Sequence, residues 1–199
     1  MNRFYRTVVT LFSPIIRFLF RIEAKGLEHV AEGKSLVLCP NHSSGWDPIV
    51  LCAVLPPNFR MRMMAKKELM ENPLLRWLIE KLGGFGVDRG GADLAAVKLS
   101  IKTLKDGDNL LVFPEGTRVE KEGDERAKGG VVMIAMRADA KLVPVSLGGK
   151  KKLFCKTRIV FGEPYLPETA SKRPTAEELQ SCADEVLRRA YALGREEVR

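Results

Sequence analysis

After Gly26 the chain alternates short apolar runs with longer stretches of helical periodicity, and this alternation restricts its fold more than any other feature. Runs of that length suit strands, and strands separated by helices pair in parallel, because the helix carries the chain back to the same end of the sheet. Strands are expected at Ser35 to Cys39, Arg60 to Ala65, Phe85 to Val87, Asn109 to Phe113, Leu142 to Leu147 and Thr157 to Gly162. The expected architecture is α/β: a single domain with a mostly parallel mixed sheet flanked by helices, plus an N-terminal interfacial helical segment. A chain of 199 residues buries one core of this kind.

Two helices are legible in detail. Asp93 to Lys105 begins at a capping aspartate, stops at Asp106-Gly107, and is expected to turn Leu94, Val97, Ile101 and Leu104 toward the core. Thr175 to Tyr191 opens with a Thr-x-x-Glu capping box, Thr175 and Glu178, and directs Leu179, Val186, Leu187 and Ala190 inward.

Residues 1–25 stand apart as a separate segment, with residues 26–199 forming the main domain. From Phe4 to Ile22 the chain is apolar and aromatic, but Arg3, Arg6, Arg17 and Arg21 punctuate it. Its longest charge-free run, Thr7 to Ile16, falls short of the roughly 20 residues a bilayer span needs. Ser13-Pro14 is expected to interrupt any continuous helix. Such a segment suits burial at the headgroup boundary of a membrane; packing on the protein's own core is the alternative. An export signal fits poorly, since Arg17 and Arg21 fall inside the pattern and no small-x-small cleavage site follows.

With 33 Lys and Arg against 25 Asp and Glu, the net charge of +8 favours an anionic partner: nucleic acid, anionic lipid headgroups or a phosphorylated small molecule. The basic residues are spread along the chain without the interleaved aromatics of a base-stacking platform, which argues against nucleic acid. A non-catalytic membrane-binding module remains open on charge alone. Cys39, Cys52, Cys155 and Cys182 form no C-x-x-C pair and only two histidines are present, His29 and His42, so no metal site is expected.

Two stretches carry chemistry. Asn41-His42-Ser43-Ser44-Gly45-Trp46-Asp47-Pro48 follows the first expected strand, and strand ends in such sheets are where sites form. On a regular helix His42 and Asp47 would stand about 140° apart, so they meet only if the chain turns between them. An imidazole oriented by a carboxylate is a general base; alternatively Asp47 caps the helix beginning at Pro48 and His42 satisfies a local backbone group. Phe113-Pro114-Glu115-Gly116-Thr117-Arg118 ends a second strand, where Gly116 and Thr117 offer backbone N–H groups and Arg118 a fork matching a phosphate. Glu115 can accept from a hydroxyl or shape the loop through an ion pair. Arg89, Lys66 and the Lys128-Gly129-Gly130 helix start add further anion contacts, while a salt-bridged surface turn is the plain alternative. The glycines of 83–86 lack the third glycine of a dinucleotide fingerprint, and no G-x-S-x-G elbow is present.

These stretches, in this order, resemble the glycerolipid acyltransferase family, bacterial-type 1-acylglycerol-3-phosphate acyltransferases in particular, from about Ser35 to Leu147. His42 and Asp47 match its H-x-x-x-x-D pair, Arg89 the arginine of its second block and Phe113 to Arg118 its F-P-E-G-T-R block, while Val143-Pro144-Val145 looks like its fourth. The resemblance implies acyl transfer from acyl-CoA or acyl carrier protein to the free hydroxyl of lysophosphatidic acid, giving phosphatidic acid without a tightly bound cofactor or metal. It implies His42 as general base and Asp47 as its orienter. Lys66, Arg89, Glu115, Gly116, Thr117 and Arg118 would bind the acceptor's glycerol phosphate, and Val143, Pro144 and Val145 would lie near the acyl donor. Glycerol 3-phosphate, another lysophospholipid or an aminoacyl lipid are alternative acceptors. Residues 26–199 would be the catalytic domain, held peripherally or monotopically on the cytoplasmic face of the cell membrane.

Overall fold

The computed structural model describes residues 3–30, 34–88, 93–119, 126–149, 151–170 and 173–196. Helix α1 (Arg3–Leu19) leads into β1 (Ile22–Lys25), and β2 (Leu36–Pro40) is followed by α2 (Asp47–Val54). Next come β3 (Met61–Lys66), α3 (Pro73–Lys81), β4 (Gly84–Val87), α4 (Leu94–Lys105) and β5 (Asn109–Leu111). The chain ends with α5 (Gly130–Ala138), β6 (Lys141–Gly148), β7 (Thr157–Phe161) and α6 (Ala176–Glu196). The strands form one seven-stranded sheet in the order β1-β7-β6-β2-β5-β3-β4, parallel throughout except for the β6-β7 pair.

Strand β2 sits at the centre and shows why the sheet needs helices on both faces. Its residues are all buried: Leu36 and Leu38 join the cluster of Val50, Leu51, Leu111 and Phe161, whereas Val37 and Cys39 join that of Leu104, Leu110, Val132 and Val186. Alternate side chains of a strand point to opposite faces, so a strand apolar at every position must be covered twice. Helices α1 and α2 cover the first face, and α4, α5 and α6 the second.

Three expectations change. The segment Phe4 to Ile22 is not interrupted at Ser13-Pro14: α1 runs through Pro14 without a break. Pro14 and Thr10, whose carbonyl the proline leaves without its helical N–H, both lie on the exposed face, where the free oxygen needs no partner within the protein. Residues 22–25 pair in parallel with β7, so the sheet starts inside the N-terminal segment. In α4, Leu94 points to solvent at 68% exposure and the buried face is Ala96, Ser100, Thr103 and Leu104, with Val97 and Ile101 flanking it. The caps are as read: Asp93 accepts from the N–H of Ala96 at 2.9 Å, and Thr175 and Glu178 bond reciprocally at 3.2 and 2.7 Å.

Candidate active site

Strands β2, β5, β3 and β4 are neighbours in that order and run in parallel, so their C-terminal ends line one edge of the sheet. His42 lies just past the end of β2, the Phe113–Arg118 loop just past β5, and Lys66 at the end of β3. Arg89, beyond the end of β4, lies outside the described residues. This edge collects what the sequence scatters over some eighty positions.

Between β2 and α2 the chain turns at Ser44, whose carbonyl accepts from the N–H of Asp47 at 3.1 Å. The turn lets the fully buried Asp47 side chain fold back. Its Oδ2 accepts from the N–H groups of Ser43 and Ser44, both at 2.7 Å, and faces Nδ1 of His42 at 3.0 Å. The capping alternative is therefore corrected: Asp47 bonds to the turn ahead of α2 rather than to the helix's own first N–H groups.

The loop after β5 grips His42 by its main chain. The N–H of His42 donates to Oε2 of Glu115 at 2.6 Å, the carbonyl accepts from the N–H of Val119 at 2.9 Å, and the Phe113 ring stacks on the imidazole with centroids 4.0 Å apart. Glu115 is 1% exposed, and its Oε1 accepts from the hydroxyl of Tyr191 on α6 at 2.7 Å. Both carboxylate oxygens thus serve the interior, while Thr117 and Arg118 face outward. A Cβ on Gly45 would stand 3.8 Å from Nη1 of Arg118, which places that guanidinium beside the His42–Asp47 turn. Gly116 has φ +72°, a left-handed backbone that favours glycine at this position of the loop.

The two buried carboxyls are pushed in opposite directions. Burial raises Asp47, but the His42 hydrogen bond, the charge of Lys151 and the Ser44 and Ser43 N–H groups together hold it below its ordinary range. Burial also raises Glu115, and there the Tyr191 hydroxyl and the His42 N–H do not outweigh it. An ionised Asp47 only accepts, so the bonded His42 carries its proton on Nδ1, leaving Nε2 as the nitrogen able to take up another.

Other expected residues lie elsewhere along the edge or beneath it. Lys66 is exposed and paired with Glu68 at 3.0 Å. Val143, Pro144 and Val145 are buried in β6, beside Leu38, Cys39 and Pro40 of β2, so they pack inside the sheet next to the strand that leads to His42. An apolar groove of about 160 Å³ runs between α1 and α2, lined in part by Val8, Phe12, Ile16, Ile49 and Cys52 and reaching Pro48 beside Asp47.

Sequence reasoning missed three residues. Asn41 brackets Leu147, accepting from its N–H at 2.7 Å and donating to its carbonyl at 3.3 Å, and so ties the end of β2 to β6. Tyr191 was indistinguishable from the other inward residues of its helix. Lys151 sits in a Lys150-Lys151-Lys152 run that reads as solvated charge, yet its side chain is only 3% exposed, with Nζ 3.5 Å from Oδ1 of Asp47.

A family model described as Acyltransferase matches residues 21–148. A Bacillus subtilis protein named 1-acyl-sn-glycerol-3-phosphate acyltransferase is 28% identical over 95% of this chain and 96% of its own. A Streptococcus pneumoniae protein of the same name is 32% identical over 67% of this chain, an alignment that spans about half (51%) of that relative. The crystal structure of the 1-acyl-sn-glycerophosphate acyltransferase PlsC from Thermotoga maritima superimposes with a TM-score of 0.73 at 25% identity, covering 98% of this chain and 80% of that one.

The grip on His42 predicts a graded response at Glu115. Glu115→Ala strands a buried N–H and is expected to cost about 1–3 kcal/mol in chemical denaturation. Glu115→Gln keeps one oxygen for that N–H and should cost clearly less, and equal losses would show that the bond to His42 is not what Glu115 contributes.

Proposed function

The chain belongs to the acyltransferase family, and on that premise we propose that it moves a fatty acyl group from acyl-CoA or acyl carrier protein to the free hydroxyl of 1-acyl-sn-glycerol 3-phosphate, giving phosphatidic acid and the free thiol. The observation that carries this reading is the closed His42–Asp47 pair on the sheet edge, with the guanidinium of Arg118 beside it. Nε2 of His42 takes the hydroxyl proton as that oxygen attacks the thioester carbonyl, and Asp47 stabilises the imidazolium that forms. The thiolate then leaves and receives the proton. Backbone N–H groups of the motif loops, other than those of Ser43 and Ser44 that serve Asp47, are suited to the developing oxyanion.

Arg118 binds the acceptor's phosphate, supported by its outward position and two-pronged geometry, with Thr117 and the Gly116 turn beside it and Lys66 and Arg89 completing the cationic edge. Glu115 acts on the same site from inside, by fixing His42 and the loop that carries Arg118. Val143, Pro144 and Val145 support the acyl-donor side as packing beside the end of β2, and the groove between α1 and α2 suits an acyl chain.

Within the expected 1–25 segment, α1 acts at the membrane interface, while β1 joins the sheet of the catalytic domain formed with residues 26–199. One face of α1 packs inward through Tyr5 and Val9, while Leu11, Phe12, Ile15 and Phe18 are 49–74% exposed next to Arg17. Phe4 also meets Trp77 of α3 edge-on at 5.4 Å, continuing the apolar surface. No helix among the described residues is long and apolar enough to cross a membrane. This amphipathic face suits attachment to the cytoplasmic leaflet, whose anionic lipids attract arginine and whose acyl chains take up the aromatic rings.

Transfer of labelled acyl groups to lysophosphatidic acid tests the reaction. A folded His42→Ala variant should lose about a hundredfold or more in turnover, and wild-type rates in that variant would remove the assignment. Arg118→Ala is expected chiefly to raise the acceptor KM, by about 10- to 150-fold for a lost charge-assisted bond; a change confined to the acyl donor would move Arg118 to the other substrate. Vesicle sedimentation tests α1: Phe12→Glu with Phe18→Glu should abolish most binding to anionic liposomes, and unaltered binding would place the contact elsewhere.

A further inference from the structure

The Lys151 ammonium occupies a built position. It donates to the carbonyl of Leu147 at 2.8 Å and to Oγ of Ser43 at 2.9 Å, and stands 3.5 Å from Oδ1 of Asp47. Two hydrogen-bond acceptors and one facing carboxylate oxygen surround the ammonium, as suits a protonated lysine. The Asp47 side is equally specific. Its Oδ2 takes the donors from His42, Ser43 and Ser44, while Oδ1 is buried and has no hydrogen-bond partner among the described residues, so Lys151 is the cation that balances it. Burying two charges is costly unless they are paired, and a lysine with a long flexible stem is not drawn into a 3%-exposed position for solubility. Burial pulls the Lys151 pKa down and the Asp47 carboxylate resists that pull.

We propose that Lys151 is a positioning residue acting through Asp47: its buried ammonium holds Oδ1 in place, turns Oδ2 toward His42, and sets the pH at which His42 takes up its proton. No bond is made or broken by Lys151 itself. The kinetic part of this inference rests on the acyl-transfer reading; the electrostatic part does not. The charged groups around the pair have distinct places. Glu115 lies on the main-chain side of His42 and is bonded to Tyr191, Arg118 lies beyond Gly45, and Lys151 alone among the described residues faces Oδ1. Removing its positive charge leaves the full carboxylate charge facing the imidazole, which favours the imidazolium.

Because the chain has only two histidines, NMR titration of the imidazole resonances reads this directly, with His42→Ala assigning the signal. In Lys151→Met the His42 midpoint should rise by about 0.5 to 2 pH units, the order expected for losing a unit charge that stands behind the Asp47 carboxylate, farther from the imidazole than the carboxylate itself. Lys151→Gln, which keeps a donor for Leu147 or Ser43 without the charge, should move it the same way and guards against a fold that tolerates only one replacement. In acyl transfer to lysophosphatidic acid, both variants should lose kcat/KM at pH 7 in proportion to the fall in unprotonated His42 that the shifted midpoint sets, regain most of it by about pH 9, and keep the wild-type acceptor KM. An unmoved midpoint in a folded variant overturns the proposal, and so does a pH-independent loss with a raised acceptor KM, which would make Lys151 a substrate ligand. If wild type acylates no lysolipid, the proposed function fails while the midpoint still decides the role of Lys151.

Discussion

Two hydrogen bonds hold the main chain of residue 42, one from its N–H to Glu115 and one to its carbonyl from Val119, and the rest of the site is arranged around them. A residue just past the end of a central strand has left the ladder but not the interior, so its peptide groups must find partners off the sheet. Here the partners come from the loop after the adjacent strand. The neighbourhood of β2 and β5 within the sheet is thereby transmitted to their loops: wherever the 113–119 loop goes, His42 goes with it. Tyr191 extends the connection to α6, which ties the last helix of the chain to the edge where the chemistry is proposed.

The same burial acts on two carboxyls with opposite results, and the difference lies in what each is given. Glu115 meets two donors, and burial, reinforced by the charge of Asp47, outweighs them. Asp47 meets three N–H groups and the Lys151 ammonium, and the donors win. One result is a side chain suited to clamping backbone; the other is a stable anion against an imidazole, the condition for using that imidazole as a base. The division follows from local geometry, since the tight turn at Ser43 and Ser44 presents consecutive N–H groups to a single oxygen.

Helix α1 serves two environments at once. Tyr5 and Val9 pack against the domain while Phe12 and Phe18 remain exposed, and the groove under the helix runs toward Pro48 beside Asp47. The proposed membrane face and the proposed acyl path thus share one element, and a proline is tolerated in it because the carbonyl it frees faces outward.

The alternation of strands and helices, the caps at Asp93 and at Thr175, and the apolar run of β2 were legible in the sequence because each depends on neighbours within a few positions. The break at Pro14 and the inward placement of Leu94 were misread for the same reason: which face of a helix is covered depends on what packs there, and periodicity alone does not say. His42 and Asp47 stood out by spacing, and Phe113 to Arg118 by its strand-end position, but the sequence did not say that Glu115 turns inward and Arg118 outward. Lys151 was hidden in a run of lysines and Tyr191 on a core-facing helix. The chain by itself determined the elements and the residue types brought to the sheet edge. Only the tertiary structure decided which of them meet, because hydrogen bonds and buried charges act over a few ångströms in space while partners such as Ser43 and Lys151 at this edge lie 108 positions apart in the chain.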